Sequence, residues 1–388
     1  MISLQRVAQT TIVVACTLAA VGAAAAHGAT ERERAALLQG AEAELARGDT
    51  SLAAGTFERA ASMQHAPDTE MGIVRTSMQQ GLYAQALAFA AHTAGAHLES
   101  PAAAALYAWL LRVGGRSDVS DRVLGEALAR APDDAVLRAA RSAFASAAPL
   151  AEGVLLEVPQ RMAPQAGALA GQAAPLQGVA AVASSGVLVA TGTQAIVPLA
   201  VAAGASGTRV WLRNGMGLTV GGTLVRDDDV ALAVAGLARL QLDRALPFEP
   251  GDAPSPIPLP AGRPAFAIEY VNGPGNAPAW PWLTQGFIGS TSSDGARHLG
   301  IALTPGLHGG PVLDGQGRLA GIALARADGA SVFVPADVWQ PGERDALGVG
   351  PAHRVLAVSA PAMRSVVPAA EAYERALRLA LQVIAVAR

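Results

Sequence analysis

"TPGLHGGPVLDGQGRLAGIAL" (304–324) is the stretch on which the reading of this chain turns. Gly306, Gly309, Gly310 and Pro311 punctuate a tight turn, and glycine is what lets a backbone bend sharply enough for its N–H groups to face inward. Behind the turn, "PVLD" and "RLAGIALA" are short apolar runs separated by a Gly-Gln-Gly turn, the pattern of two paired strands. At the centre of the turn stands His308.

The same rhythm extends in both directions. "GVLVA", "AIVPLAV", "TRVWLRN", "LTVGGTLVR", "VALAVAGL", "AFAIEYV", "QGFIGST", "HLGIALT" and "SVFVPA" are short apolar runs bounded by Gly, Pro, Asp and Asn. Many short strands at regular spacing predict a sandwich or barrel over residues 179–345.

In content and order these segments resemble the double β-barrel of trypsin-like serine proteases, and within it the bacterial Deg-type branch. That family carries G-N/D-S-G-G-P where this chain has Gly306-Leu307-His308-Gly309-Gly310-Pro311. "SSGVLVATGTQAIVPLAVAAGASGTRVWLRNG" (184–215) is similar to the branch's opening strands. "VRDDDVALAVAGL" (225–237) resembles its D-x-x-x-D-L-A-L-L segment, "WLTQGFIGS" (282–290) its T-V-T-x-G-I-V-S, and "SVFVPADVW" (331–339) its closing strand. The resemblance covers roughly 160 residues in consistent order, which is more specific than one short motif.

Carried over position by position, the resemblance places the triad acid on Asp229, the general base on Ala200 and the nucleophile on His308. Two of the three residue types are absent. The loss does not depend on the alignment, because the seven histidines lie at 27, 65, 92, 97, 298, 308 and 353. The half of the β region that should supply the base has none. A serine hydroxyl needs an adjacent base to become a useful nucleophile at neutral pH, so the usual acyl-enzyme route is closed. His308 then either binds an anion, metal or carboxylate with Gly306, Gly309 and Gly310, or merely fills the vacated pocket mouth or points to solvent. Asp229, with no histidine to orient, is expected to cap a turn beside Asp227 and Asp228.

Upstream the chain changes character. Residues 27–150 read as helix, and three turn glycines, Gly48, Gly81 and Gly115, recur at intervals of 33 and 34 residues. A fixed period near 34 is the mark of tetratricopeptide repeats, each a helical hairpin that must stack on its neighbours to bury its apolar face. The resemblance extends to packing positions. Ala53, Ala86 and Ser120 follow the glycines by five residues; Phe57, Ala90 and Leu124 by nine; Ala60, Thr93 and Ala127 by twelve. The competing reading is an Ala-rich bundle with a chance period. Such arrays hold a peptide or protein on their concave face, and Arg75, Gln79 and Gln80 are the polar residues expected to reach it.

Composition bounds the rest. The 388 residues carry a formal net charge of −3, and every basic residue is arginine. No basic stripe supports nucleic-acid binding. "MISLQR" followed by "TIVVACTLAAVGAAAA" and the small residues Ala24–Ala26 predicts a signal peptide over 1–26 and a periplasmic or secreted protein, with no transmembrane span in the mature chain. Cys16 also loosely fits a lipoprotein site. It is the single cysteine, so processing after Ala26 leaves no disulfide. There is no H-E-x-x-H, no C-x-x-C and no phosphate-binding Gly-rich loop, hence no metal or cofactor is expected. Residues 151–178 read as a linker. Residues 346–388 are a tail ending in an apolar helix over 368–388 that packs on the barrels or on the repeats.

The resulting expectation is a non-catalytic protein-binding or scaffold protein. Its rival is a hydrolase with a rearranged site around His308 and Asp229.

Overall fold

The computed structural model describes residues 30–45, 47–146, 180–204, 210–225, 230–255, 259–270, 280–293, 295–303, 308–326, 329–339 and 366–386. The expected signal peptide, the 151–178 linker, Asp229 and Gly306 lie outside the described residues. Among these residues no helix is long and apolar enough to cross a membrane.

The first part is a helical array: α1 (30–45), α2 (Thr50–Met63), α3 (Pro67–Gln79), α4 (Tyr83–Ala96), α5 (Pro101–Val113), α6 (Ser117–Arg130) and α7 (Ala135–Ser146). The periodic glycines explain its hairpins. Gly48, Gly81 and Gly115 all adopt φ near +80°, the left-handed conformation that ends a helix without a Cβ clash. Each makes the same pair of bonds. The glycine amide donates to the carbonyl three residues back, and the following amide donates to the one five back, at 2.8–3.0 Å (Gly81 to Met78 and Leu82 to Ser77, for example). This is the Schellman turn, and its repetition sets three hairpins in one register.

All nine packing positions singled out by spacing are buried, from Ala53, Phe57 and Ala60 in α2 to Ser120, Leu124 and Ala127 in α6. Small residues let paired helices approach. Phe57 occupies the gap over Gly72, where a Cβ would meet its ring at 2.2 Å. The Ser120 and Thr93 hydroxyls donate to the Ala108 and Phe89 carbonyls, so these small polar residues leave no unsatisfied hydroxyl in the core.

The second part is two closed six-stranded antiparallel barrels, the double-barrel layout of trypsin-like proteases. In chain order the strands are β1 (Ala180–Val189), β2 (Gln194–Pro198), β3 (Val210–Asn214), β4 (Thr219–Leu224), β5 (Leu237–Leu242), β6 (Pro264–Glu269), β7 (Trp282–Thr291), β8 (Arg297–Gly300), β9 (Pro311–Asp314), β10 (Leu319–Ala325), β11 (Ser331–Pro335) and β12 (Ala380–Val386). The first barrel runs β1-β12-β3-β4-β5-β2 and the second β10-β11-β8-β7-β6-β9. Closure removes the unpaired edges that open sheets expose. Each barrel has its own interior, built on Leu188, Val197, Leu212, Leu240 and Val383 in the first and on Ala267, Ile288, Val312, Ala323 and Phe333 in the second.

A further core joins the parts. It runs from α3–α7 through the helix α10 (Ala369–Leu379) to the outer faces of both barrels. Trp109 of α5 packs on Trp280 with ring centroids 5.1 Å apart, the Gln79 amide donates to the Met216 carbonyl, and the Ala84 amide donates to Glu374 at 2.9 Å. The Arg378 guanidinium in α10 grips buried Asp252 with two bonds of 2.9 and 3.0 Å.

Two segments differ from the sequence reading. "VALAV" (230–234) forms a helical turn, α9, and the strand begins only at Leu237, since an alanine-rich five-residue run satisfies either periodicity. The C-terminal helix is present and touches both array and barrels, but it ends at Leu379. Ala380–Val386 is strand β12, inserted between β1 and β3, with Val187 opposite Ala380 and Leu381 opposite Asn214. The β-branched residues Val383, Ile384 and Val386 favour extended backbone, and barrel closure supplies the partners.

Candidate functional site

Strand β9 is preceded by the 308–310 turn, and β6 lies beside β9 with Ala267 opposite Val312 and Ala265 opposite Asp314. This pairing carries the end of β6, Glu269, to the turn. His308 Nδ1 and Glu269 Oε2 stand 2.5 Å apart, a hydrogen-bonded acid–imidazole pair. His308 is only 6% exposed. Burial pushes the Glu269 carboxyl above its ordinary value, against the opposing pull of the His308 imidazole and of the Gly310 and Gly309 N–H groups.

The turn is wedged against the first barrel. Gly309 has φ +131°, and a Cβ there would lie 2.4 Å from the Ser185 carbonyl oxygen and 2.7 Å from Pro198 Cδ. At Gly310 a Cβ would meet the Ile268 carbonyl oxygen at 2.0 Å. Only glycine admits these approaches. Pro198 ends β2 immediately before α8 (Leu199–Gly204), so Ala200 stands at the start of this short helix on the same seam, and it is exposed. The serines of β1 beneath the turn are fully buried. Ser184 donates to the Ser185 carbonyl, and the Ser185 hydroxyl accepts the Tyr270 amide at 2.8 Å, which commits both to structural bonds.

The seam is polar elsewhere too. Arg213 of β3 is buried and donates through Nε to Gln382 Oε1 of β12 at 2.7 Å. Burial pulls its guanidinium down to about 10, with Tyr270 opposing the shift.

Of the residues assigned by sequence, His308, Gly309 and Gly310 come together at one turn, with Ala200 near it. The array residues do not form an open polar face. Arg75 is 6% exposed and pairs with Glu42 of α1 through both terminal guanidinium nitrogens (Nη1 to Oε2 at 2.9 Å). Gln79, at 1% exposure, is spent on the Met216 carbonyl, and the Gln80 amide reaches the Thr50 carbonyl at 3.5 Å. Arg75 thus holds the array to itself and Gln79 holds it to the first barrel, so these two side chains are spent on internal contacts.

Two constellations escaped the sequence. Glu269 is 39 residues from His308, and only the β6–β9 pairing joins them. In the array, His65 after α2, Glu70 in the first turn of α3 and His92 in the last turns of α4 place one ligand atom each within 4.8 Å of the others. His97, capping α4, points at the same glutamate.

No protein-family model matches the chain, and no curated protein matches it. Among solved structures it is similar to Deg5, at 21% identity and a TM-score of 0.30 over 43% of this chain and 87% of that one. The serine endoprotease from Yersinia pestis aligns at 16% identity and the same TM-score over 43% of this chain and 61% of that one, less than two thirds of its length.

Proposed function

We propose that the protein is a non-catalytic binding protein in which tetratricopeptide-type repeats recruit a protein or peptide and a trypsin-like pseudoprotease domain provides a rigid platform. The observation that carries this reading is the His308–Glu269 pair: a buried, carboxylate-bound imidazole fills the slot that the trypsin-like resemblance gives to the nucleophile. Ala200 in the base slot leaves nothing there to take a hydroxyl proton. The repeat assignment is supported by three identical glycine turns and nine buried packing positions. Delivery to the periplasm or exterior rests on residues 1–26, and the division at 150, 178 and 345 rests on composition.

The test is chemical. The purified protein should leave casein and peptide esters intact and take up no fluorophosphonate probe. Stoichiometric labelling of a serine within 180–345, lost on heat unfolding, overturns the proposal in favour of a hydrolase.

A further inference from the structure

The histidine cluster of the array has the donors and the geometry of a metal site. Glu70 and His97 have only 4% and 10% of their side chains exposed, yet Glu70 Oε2 and His97 Nε2 have no hydrogen-bond partner. Leaving buried polar atoms unpaired costs about 1–3 kcal/mol each, so such atoms call for an explanation. These two face each other at 3.6 Å, too far for a hydrogen bond. In a tetrahedral zinc shell with Zn–N and Zn–O bonds of about 2.0–2.1 Å, neighbouring ligand atoms are roughly 3.3 Å apart. The gap is one that a cation fits.

His65 and His92 each bring one ligand atom within 4.8 Å of the other and of Glu70, and His97 joins them across the 3.6 Å gap to the same carboxylate. His65 Nε2 lies 2.5 Å from Glu70 Oε1, and the His65 ring is 4.9 Å from that of His97 and 5.8 Å from that of His92. His92 stacks on Phe89, which limits the directions its ring takes. His97 Nδ1 is 3.3 Å from Glu99 Oε1. A carboxylate on the outer nitrogen fixes the tautomer that turns the lone pair of Nε2 inward, the usual support of a metal-bound histidine.

We propose that His65, Glu70, His92 and His97 bind one divalent transition-metal ion. Three imidazoles and one carboxylate suit Zn²⁺, whereas Ca²⁺ and Mg²⁺ require shells of oxygen. The ligands come from the end of α2, the start of α3 and the end of α4. The ion therefore pins the first helical hairpin to the second and stiffens the array.

The experiment is a Zn²⁺ titration of the chelator-stripped full-length protein, followed by calorimetry and by Co²⁺ absorption. One ion should bind with micromolar or tighter affinity, Co²⁺ should give the intense visible bands of a tetrahedral site, and excess Mg²⁺ should not compete. The His65 side chain is 62% exposed and His92 is also exposed, so His65→Ala and His92→Ala keep the fold. Each should weaken Zn²⁺ at least tenfold and abolish the rise in Tm that Zn²⁺ gives the parent. His298→Ala, in the second barrel, should change neither. Absence of saturable binding, or His65→Ala and His92→Ala binding as tightly as the parent, overturns the proposal.

Discussion

Tyr83 of α4 and Tyr373 of α10 meet edge to face with ring centroids 4.4 Å apart, each also spending its hydroxyl on a backbone carbonyl. Tyr83 donates to Leu110 at 2.8 Å and Tyr373 to Pro281 at 2.6 Å, the latter at the entrance of β7. One aromatic pair thus links a repeat helix, the C-terminal helix and the second barrel. Tyr373→Ala should cost about 3–5 kcal/mol, as large aromatic truncations in cores do. Tyr373→Phe, which loses one hydrogen bond, should cost about 1–2 kcal/mol. Chemical denaturation of the three proteins checks the order, and an alanine variant no weaker than the phenylalanine one contradicts it.

The shared core also predicts how the parts behave when the chain is cut. With a protease site inserted between residues 150 and 178 and cleaved, the helical and β fragments should co-elute on size exclusion. Contacts such as Trp109–Trp280 and Glu374–Ala84 hold them without the connection. Two separate peaks would mean that the interface is too weak to act alone.

Gly309→Ala tests the seam between the barrels. Its φ of +131° and the 2.4 Å approach to the Ser185 oxygen leave no room for a methyl group. Backbone strain alone should cost about 1–3 kcal/mol, and the steric overlap adds to it. The measurement is Tm beside Gly295→Ala, a glycine also at positive φ but with open space around it, which should cost less.

The pH dependence of Glu269 follows from burial. Its folded-state carboxyl sits above the ordinary 4.5, so the folded protein binds that proton more tightly than the unfolded chain. The corresponding stability is complete below about 4.5 and is lost as pH rises through the folded value. Glu269→Gln removes this titration. Between pH 4.5 and neutrality the parent's Tm should fall relative to that of the variant, and parallel curves would show that the carboxyl does not titrate in this window.

The sequence exposed whatever was encoded locally and hid whatever depends on closure. The three glycine turns and their packing positions were legible because a period of 33–34 residues repeats one local problem three times. Most strands were legible because their apolar runs end at turn residues. Strand β12 was not, since "RALRLALQVIAV" has apolar residues on two opposite sides of a helix and reads as one continuous helix; its switch at Ala380 depends on the gap between β1 and β3. The site divided in the same way. His308 stood out by occupying a familiar frame, while Glu269 sits in "AFAIEYV" with no motif around it. His65, Glu70, His92 and His97 follow no ligand spacing, because hairpin stacking rather than a single helix brings them together.

The late position of β12 has a consequence for biogenesis. Ala180 pairs with Val386 across about 200 residues of chain, so the first barrel has a missing stave until synthesis has passed residues 380–386. Until then β1 and β3 present open edges, the kind of surface that recruits neighbouring chains. A long-range closure of this kind is slow. If synthesis stalled before residue 380, the product would carry a finished second barrel beside an unsealed first one, a species fit for capture by a chaperone or protease rather than a shorter working protein.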